Sequence, residues 1–421
     1  MEKLLVSGGS RLSGSVRISG SKNSSLPIMA ATLLSEEPCV IHNVPDLSDT
    51  NYMVQILATL GAEAEMEDGT VKVQAREISS QAPYDLVRKM RASVCVLGPM
   101  LARKGEAFVS LPGGCVIGDR PIDLHLRGLE ALGADVEVKG GDIRVSAPDG
   151  LKGAKVNMRG QYGSTVLGTD NVMMAAVFAE GTTTIESAAA EPEVEDLAIF
   201  LNALGAKIEG AGTRKIVVHG VESLCGAEHV VIPDRIEAGT FMIAGIIAGD
   251  GVVLENVRPD HLTSLIDSLS GSGHVVDVQN GNTIFVSAST DPKANEVTTE
   301  PYPGFPTDMQ AQMCALYSTT PGISVITETV FPSRFMHVPE LKRMGANINL
   351  KDSMAVIRGV DQLSAAPVMA SDLRASAALV LAALGADGTT QINRLYHIDR
   401  GYENIDQKLL SIGAELHRVN E

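Results

Sequence analysis

One motif organises the apolar and polar positions of the chain. Leu-x-x-x-Gly, followed by a run that alternates polar and apolar residues, occurs six times. The copies are Leu57-Ala-Thr-Leu-Gly61, Leu129-Glu-Ala-Leu-Gly133, Leu201-Asn-Ala-Leu-Gly205, Leu269-Ser-Gly-Ser-Gly273, Leu341-Lys-Arg-Met-Gly345 and Leu409-Leu-Ser-Ile-Gly413. Successive glycines are 72, 72, 68, 72 and 68 residues apart. Each copy predicts an amphipathic helix ended by glycine, the residue that enters the left-handed conformation of a helix C-terminus without strain. A strand follows, as in Asp135-Val-Glu-Val138.

Upstream of each copy lies a second shared piece: a small-residue apolar helix, a Gly or polar turn, a strand and a loop. Segments 175–190, 243–257 and 375–394 are examples. The unit is therefore about 70 residues with two helices and several strands, too long for a solenoid repeat and suited to a compact βαβ-type fold. Six such units in 421 residues divide most simply into two α/β domains of three, with a crossover near Pro233-Asp234-Arg235. The strand pair at 4–18 precedes the first helix and is placed to close either domain.

Charge narrows the partners. Lys plus Arg is 34 against 51 Asp plus Glu, a formal charge of −17, and Trp is absent. A surface this acidic repels nucleic-acid backbones and anionic membranes, so neither is expected as a partner. The start of the chain lacks a signal-peptide core, and apolar runs such as 241–248 and 375–384 fall well short of the ~20 residues that cross a bilayer. The five cysteines are scattered, odd in number and free of C-x-x-C spacing, which fits neither a disulfide framework nor a zinc site. A reducing cytoplasm is the expected location.

The helix-opening loops carry unusual charged residues. They are Ser21-Lys22-Asn23-Ser24, Lys89-Met90-Arg91, Asp234-Arg235-Ile236-Glu237, Pro306-Thr307-Asp308 and Ser371-Asp372-Leu373-Arg374. Loops after the second strand add Pro112-Gly113-Gly114-Cys115 through Arg120, Ser333-Arg334 and His397-Ile398-Asp399-Arg400. If pseudo-symmetry gathers these corners, Lys22, Arg91, Arg120, Arg334, Arg374 and Arg400 form a positive pocket in a negative protein. Helix N-termini add anion-binding N–H groups, and Arg binds phosphate or carboxylate bidentately. The expected ligand is small and multiply anionic. The plainer alternative is a set of surface ion pairs, Arg374 with Asp372 and Arg120 with Asp123. The spacing of glycines before Lys22 does not match a phosphate-binding P-loop.

Cys115 stands apart from the other cysteines. Cys39, Cys95 and Cys314 sit in apolar surroundings and read as inert buried thiols, while Cys225 lies in a polar stretch. Cys115 follows Pro-Gly-Gly and precedes Arg120 by five residues. A nearby cation favours thiolate, so this position reads as a reactive thiol or else an incidental loop cysteine.

At these residues the chain resembles the UDP-N-acetylglucosamine enolpyruvyl transferase family. The likeness runs end to end and is strongest in Gly20-Ser-Lys-Asn-Ser-Ser-Leu-Pro-Ile28, Leu111-Pro-Gly-Gly-Cys-Val-Ile-Gly-Asp-Arg-Pro-Ile-Asp-Leu124 and Pro303-Gly-Phe-Pro-Thr-Asp-Met-Gln-Ala-Gln312. Phe335-Met-His-Val-Pro-Glu-Leu341 and Tyr396-His-Ile-Asp-Arg-Gly-Tyr-Glu403 complete it. The resemblance implies two inside-out α/β barrel domains, each of three βαβαββ repeats. Residues 22–232 would carry the Cys115 loop, residues 1–21 plus 233–421 would form the second domain, and the active site would lie in the cleft between them.

The resemblance also implies a reaction: phosphoenolpyruvate and UDP-N-acetylglucosamine give the 3-enolpyruvyl ether and phosphate, the first committed step of peptidoglycan precursor synthesis. Lys22 and Asn23 would hold phosphoenolpyruvate, with Lys22, Arg120 and Arg400 facing its phosphate and Arg334 and Arg374 completing the anion cage beside Asp372. Cys115 would protonate the methylene carbon, and Asp308 would take the proton of the sugar 3-hydroxyl. Arg91, Arg120, Pro121, Ile122, Asp123, Leu124, Gly163, Ser164, Thr165, Val166 and Val330 would line the sugar-nucleotide site. No metal or cofactor is implied. Two alternatives remain: the shikimate-pathway enolpyruvyl transferase, and a non-catalytic paralogue that binds the sugar nucleotide.

Overall fold

The computed structural model describes residues 2–82, 84–111 and 122–420. They divide into two compact units, one of residues 2–19 and 233–420, the other of residues 20–111 and 122–232. Each unit has its own continuous hydrophobic core.

The repeat is clearest in the strand Glu296–Thr298, helix Gln310–Tyr317, strand Ile323–Thr327, helix Val338–Arg343 and strands Asn347–Lys351 and Met354–Arg358. The first two strands run parallel, as a crossover helix requires, and the closing hairpin is antiparallel. The same βαβαββ order recurs over 155–219 with Lys155–Asn157 parallel to Thr182–Glu186. In the repeat that ends at Asp142–Ser146, a single parallel bridge from Gln81 to Phe108 stands where the first strand belongs.

All six glycines of the Leu-x-x-x-Gly motif have positive φ, between 88° and 106°. The helix ends expected from the sequence are therefore made by the backbone conformation that favours glycine. The small-residue helices lie innermost. In Leu373–Leu384 every residue but the first is buried, and in Lys22–Ala31 every residue but Asn23. Helices apolar on all sides must be covered on all sides. The glycine-ended helices, such as Ser48–Thr59, keep one face open to solvent. Strands outside them alternate buried and open positions, as in Thr182–Glu186. Helices within and sheets without is the inside-out α/β arrangement.

The N-terminal strands join the unit that contains 233–420. Glu2–Ser7 lies between Thr389–Asn393 and Glu415–Asn420, antiparallel to both, and Leu12–Arg17 runs parallel to Gly249–Glu255. The other unit completes its first sheet with Glu228–Val230, parallel to Cys39–His42. Among the described residues no helix is long and apolar enough to cross a membrane.

Two buried histidines make stability depend on pH. His125 Nδ1 stands 2.9 Å from the Asn171 side-chain nitrogen, which also donates to the Val94 carbonyl at 2.9 Å. The ring nitrogen facing that amide is thus an acceptor. Burial, helped by the charge of Arg91, lowers the pKa of His125 to about 3. Burial likewise lowers His337 to about 4, with Asp372 opposing and Arg334 assisting. The unfolded chain takes up these protons near pH 6.5 and the folded chain does not. The stabilisation is therefore present above pH 6.5 and is lost as pH falls toward the folded values. Each histidine is expected to cost about 2 kcal/mol between pH 7 and pH 5. Urea unfolding of the parent and of His125→Gln at both pH values checks this: the variant should lose part of the acid dependence, and identical dependence in both would contradict it.

Candidate functional site

Asp308 is the centre of the charged cluster in the unit containing 233–420. It sits in the short turn Thr307–Met309 that leads into helix Gln310–Tyr317. Its Oδ1 accepts from Arg334 Nη1 at 2.7 Å, and its Oδ2 accepts from Arg374 Nε at 3.3 Å and Nη2 at 3.1 Å. Both arginines are buried, whereas the Asp308 side chain keeps 25% of its surface open. Two buried cations hold one carboxylate from either side, and the rest of its surface stays open.

Arg374 is placed by its helix. Asp372 caps helix Leu373–Leu384, its carboxylate accepting from the N–H groups of Arg374 and Ala375 at 2.9 and 3.1 Å. The surface pair of Arg374 with Asp372 is thereby corrected: the backbone of Arg374 serves the cap, and its guanidinium turns inward to Asp308. The guanidinium lies 5.3 Å from the centre of the Tyr402 ring, whose hydroxyl is 2.9 Å from Thr240 Oγ1. Burial opposes the charge, but Tyr402, Asp308 and Asp234 outweigh it and hold the Arg374 pKa above its ordinary value.

Arg400 ends the turn Leu395–Arg400. The next residue, Gly401, packs so closely on the start of the Arg374 helix that a methyl group there would stand 2.4 Å from the Leu373 side chain. His397, in the same turn, is lowered in pKa by burial, and feels both Asp372 and Arg400. Arg334, Asp308, Arg374, Asp372 and Arg400 thus share one neighbourhood. Val330 adjoins it through its N–H bond to Glu328 at 2.9 Å.

In the other unit, Lys22 opens helix Lys22–Ala31, where Ser21 caps the helix by accepting from Ser24 N–H. Lys22 is buried, and its Nζ donates to Asp49 Oδ2 at 3.3 Å. Asn23 follows on the same first turn, partly open. Arg91 opens the short helix Arg91–Val96, close enough to His125 for its charge to be felt. Ile122 stands at the N-terminal boundary of helix Asp123–Ala131 without a side-chain capping bond, and the two-residue strands Arg159–Gly160 and Gly163–Ser164 form a hairpin beside it. A methyl group at Gly160 would stand 2.9 Å from the Leu124 side chain, so Leu124 lies against the strand that pairs with Gly163–Ser164. Thr165 caps helix Val166–Ala176 through the Gly168 N–H at 3.2 Å. Two helix N-termini therefore open beside one hairpin, an arrangement suited to an anionic ligand.

Cys115, Arg120 and Pro121 lie outside the described residues. Among the described residues no group of three or more His, Cys, Asp or Glu is arranged to hold a metal ion. Sequence reasoning overlooked Asp49, the partner of Lys22, and Glu328, which lies under the Asp308 cluster. A lone acidic residue after a helix start or a strand carries no signal by itself.

The family described as EPSP synthase (3-phosphoshikimate 1-carboxyvinyltransferase) matches residues 6–409. The chain is 62% identical over 420 residues to the UDP-N-acetylglucosamine 1-carboxyvinyltransferase of Akkermansia muciniphila, covering 100% of this chain and 99% of that protein. It is 57% identical over 419 residues to the protein of that name from Methylacidiphilum infernorum, again covering 100% and 99%. Among solved structures it is similar to the enolpyruvyl transferase NikO of Streptomyces tendae, with TM-score 0.91, 28% identity and coverage of 100% and 99%. EPSP synthase of Acinetobacter baumannii shares the fold at TM-score 0.78 and 18% identity, each chain covered in full. Matched along its length by family and by relatives alike, the chain belongs to the EPSP synthase family of enolpyruvyl transferases, among the UDP-N-acetylglucosamine 1-carboxyvinyltransferases.

Proposed function

We propose that this protein transfers the enolpyruvyl group of phosphoenolpyruvate to the 3-hydroxyl of UDP-N-acetylglucosamine and releases phosphate. The observation that supports this most is the Asp308 carboxylate, partly open and held by buried Arg334 and Arg374. In the addition half, the 3-hydroxyl oxygen bonds to C2 of phosphoenolpyruvate. Its proton passes to Asp308, and Cys115 delivers a proton to the methylene carbon. In the elimination half, phosphate leaves with the C–O bonding pair, and a proton lost from the new methyl group restores the double bond. Positive charge builds at C2 as the methylene is protonated, so an acid and a carboxylate must flank it.

Lys22, Arg120 and Arg400 take the phosphate of phosphoenolpyruvate, Asn23 helps to hold it, and Arg334 and Arg374 complete the cage, with Asp372 beside them among the substrate-binding residues. Arg91, Arg120, Pro121, residues 122–124, residues 163–166 and Val330 receive the sugar nucleotide. We place the reaction in the cytoplasm, as the first committed step of peptidoglycan precursor synthesis.

A phosphate-release assay tests the reading. Phosphoenolpyruvate with UDP-N-acetylglucosamine should give phosphate and a product heavier by one enolpyruvyl group. Phosphoenolpyruvate with shikimate 3-phosphate should give none. Release with shikimate 3-phosphate alone would assign the shikimate-pathway reaction, and release with neither would leave a binding protein.

A further inference from the structure

Asp308 and Arg334 come from different segments, and a third residue joins them. Glu328 follows strand Ile323–Thr327 and is fully buried. Its Oε1 accepts from the Thr299 hydroxyl at 2.7 Å and from the N–H groups of Val330 and Phe331 at 2.9 and 2.8 Å. Its Oε2 accepts from the Thr307 hydroxyl at 2.9 Å. The carboxylate thus gathers the turn that carries Asp308, the loop that leads to Arg334 and the edge strand before Thr299. A carboxylate this deeply buried is costly unless hydrogen-bonded, and here four donors converge on it.

The direction of the chain of bonds is fixed. Arg334 Nη1 donates to Thr307 Oγ1 at 3.0 Å and to Asp308 Oδ1 at 2.7 Å. A guanidinium only donates, so the single Thr307 proton is left for Glu328. Glu328 therefore orders Thr307, Thr307 receives Arg334, and Arg334 holds Asp308.

We propose that Glu328 is a positioning residue of enolpyruvyl transfer, setting the orientation of the Asp308 carboxylate through Thr307 and Arg334. This role rests on the reaction proposed above. Glu328 is fully buried and acts only through Thr307, Arg334 and Val330, so its main effect falls on the chemical step. A base displaced by a fraction of an ångström loses rate without losing substrate affinity.

Glu328→Gln keeps the shape but turns an amide N–H₂ toward a hydroxyl that already receives Arg334. Thr307→Val removes the hydroxyl, and Thr307→Ser retains it. In phosphate-release assays Glu328→Gln and Thr307→Val should each lower kcat about 10- to 100-fold, a larger change than that in KM for either substrate. Thr307→Ser should recover most of the loss seen in Thr307→Val. The double variant Glu328→Gln/Thr307→Val should be no slower than the slower single variant, because both break one relay. If Glu328→Gln fails to fold, the Thr307 pair decides alone. The role is overturned if the parent is active and Thr307→Val keeps its kcat within about threefold, or if the losses multiply in the double variant. A parent that releases no phosphate is distinct, since parent and variants are then silent alike; it removes the reaction and this role with it.

Discussion

Asp308→Asn is expected to lower phosphate release at least ~10²-fold while the far-ultraviolet circular dichroism stays that of the parent. The carboxamide keeps the shape between Arg334 and Arg374 but gives up the basic oxygen. Asp308→Ala should lose the same activity and more stability, because both variants remove the negative charge but Ala also removes the remaining acceptor oxygen and the side-chain volume. It leaves the buried Arg374 without the carboxylate that accepts from its Nε and Nη2. Breaking a buried pair by deleting one partner costs on the order of 3–5 kcal/mol, less here because Asp308 is partly open. The two variants therefore separate chemistry from folding. Turnover of Asp308→Asn within about threefold of the parent would remove Asp308 from the mechanism.

Selective alkylation of Cys115 by the epoxide phosphonate fosfomycin is the second large effect expected. In the proposed reading the phosphonate would take the place of the phosphate of phosphoenolpyruvate, and the thiolate would open the epoxide to a thioether, the ring oxygen taking up a proton to become a hydroxyl. In that reading Lys22 and Arg120 bind the phosphonate, and since a nearby cation favours thiolate, Cys115 should react near neutral pH. The described cysteines offer poor competition. Burial raises the pKa of Cys39 and of Cys314, and raises that of Cys95 well above its ordinary value. Cys225 is exposed, with its sulfur 3.1 Å from the Leu204 carbonyl oxygen, and serves as the internal control. Intact mass should show one adduct, formed faster with UDP-N-acetylglucosamine present, and peptide mapping should place it on Cys115. Cys115→Asp should take up none yet retain turnover, since a carboxylic acid can also deliver the proton. An adduct on Cys39, Cys95, Cys225 or Cys314, or none in the parent, would refute the assignment.

The repeat was legible because its signals are local. A glycine that must adopt positive φ, an apolar stripe before it and an alternating strand after it all fall within a few turns of chain. The choice of strand partners was not local: the pair at 4–18 looks alike whichever sheet receives it, and tertiary pairing alone puts Glu2–Ser7 between 389–393 and 415–420. The same limit governs the site. Arg374 lies two residues from Asp372 in sequence, yet its guanidinium reaches Asp308, 66 residues away. Asp372 was visible as a charge at a helix start, but its duty as a cap depends on the backbone conformation around it. Glu328 gave no sign at all, because its four donors come from three separate segments. His397 stood out as the histidine of a charged loop, whereas His125 and His337 reveal their neutrality only through burial.

The way the strands are shared between the units also sets a timetable for synthesis. Residues 20–232 are contiguous, so that unit has all its strands once Glu228–Val230 has left the ribosome. The unit that owns Glu2–Ser7 must wait for Glu415–Asn420. At translation speeds of 5–20 residues per second, the earliest strand is made roughly 20 to 80 s before its last neighbour exists. Even after residues 20–232 have folded, the apolar segment containing Leu4 and Val6, both wholly buried in the finished fold, still lacks its strand partners. This early segment is among the last to be sheltered, and it is there that a nascent-chain chaperone has most to protect.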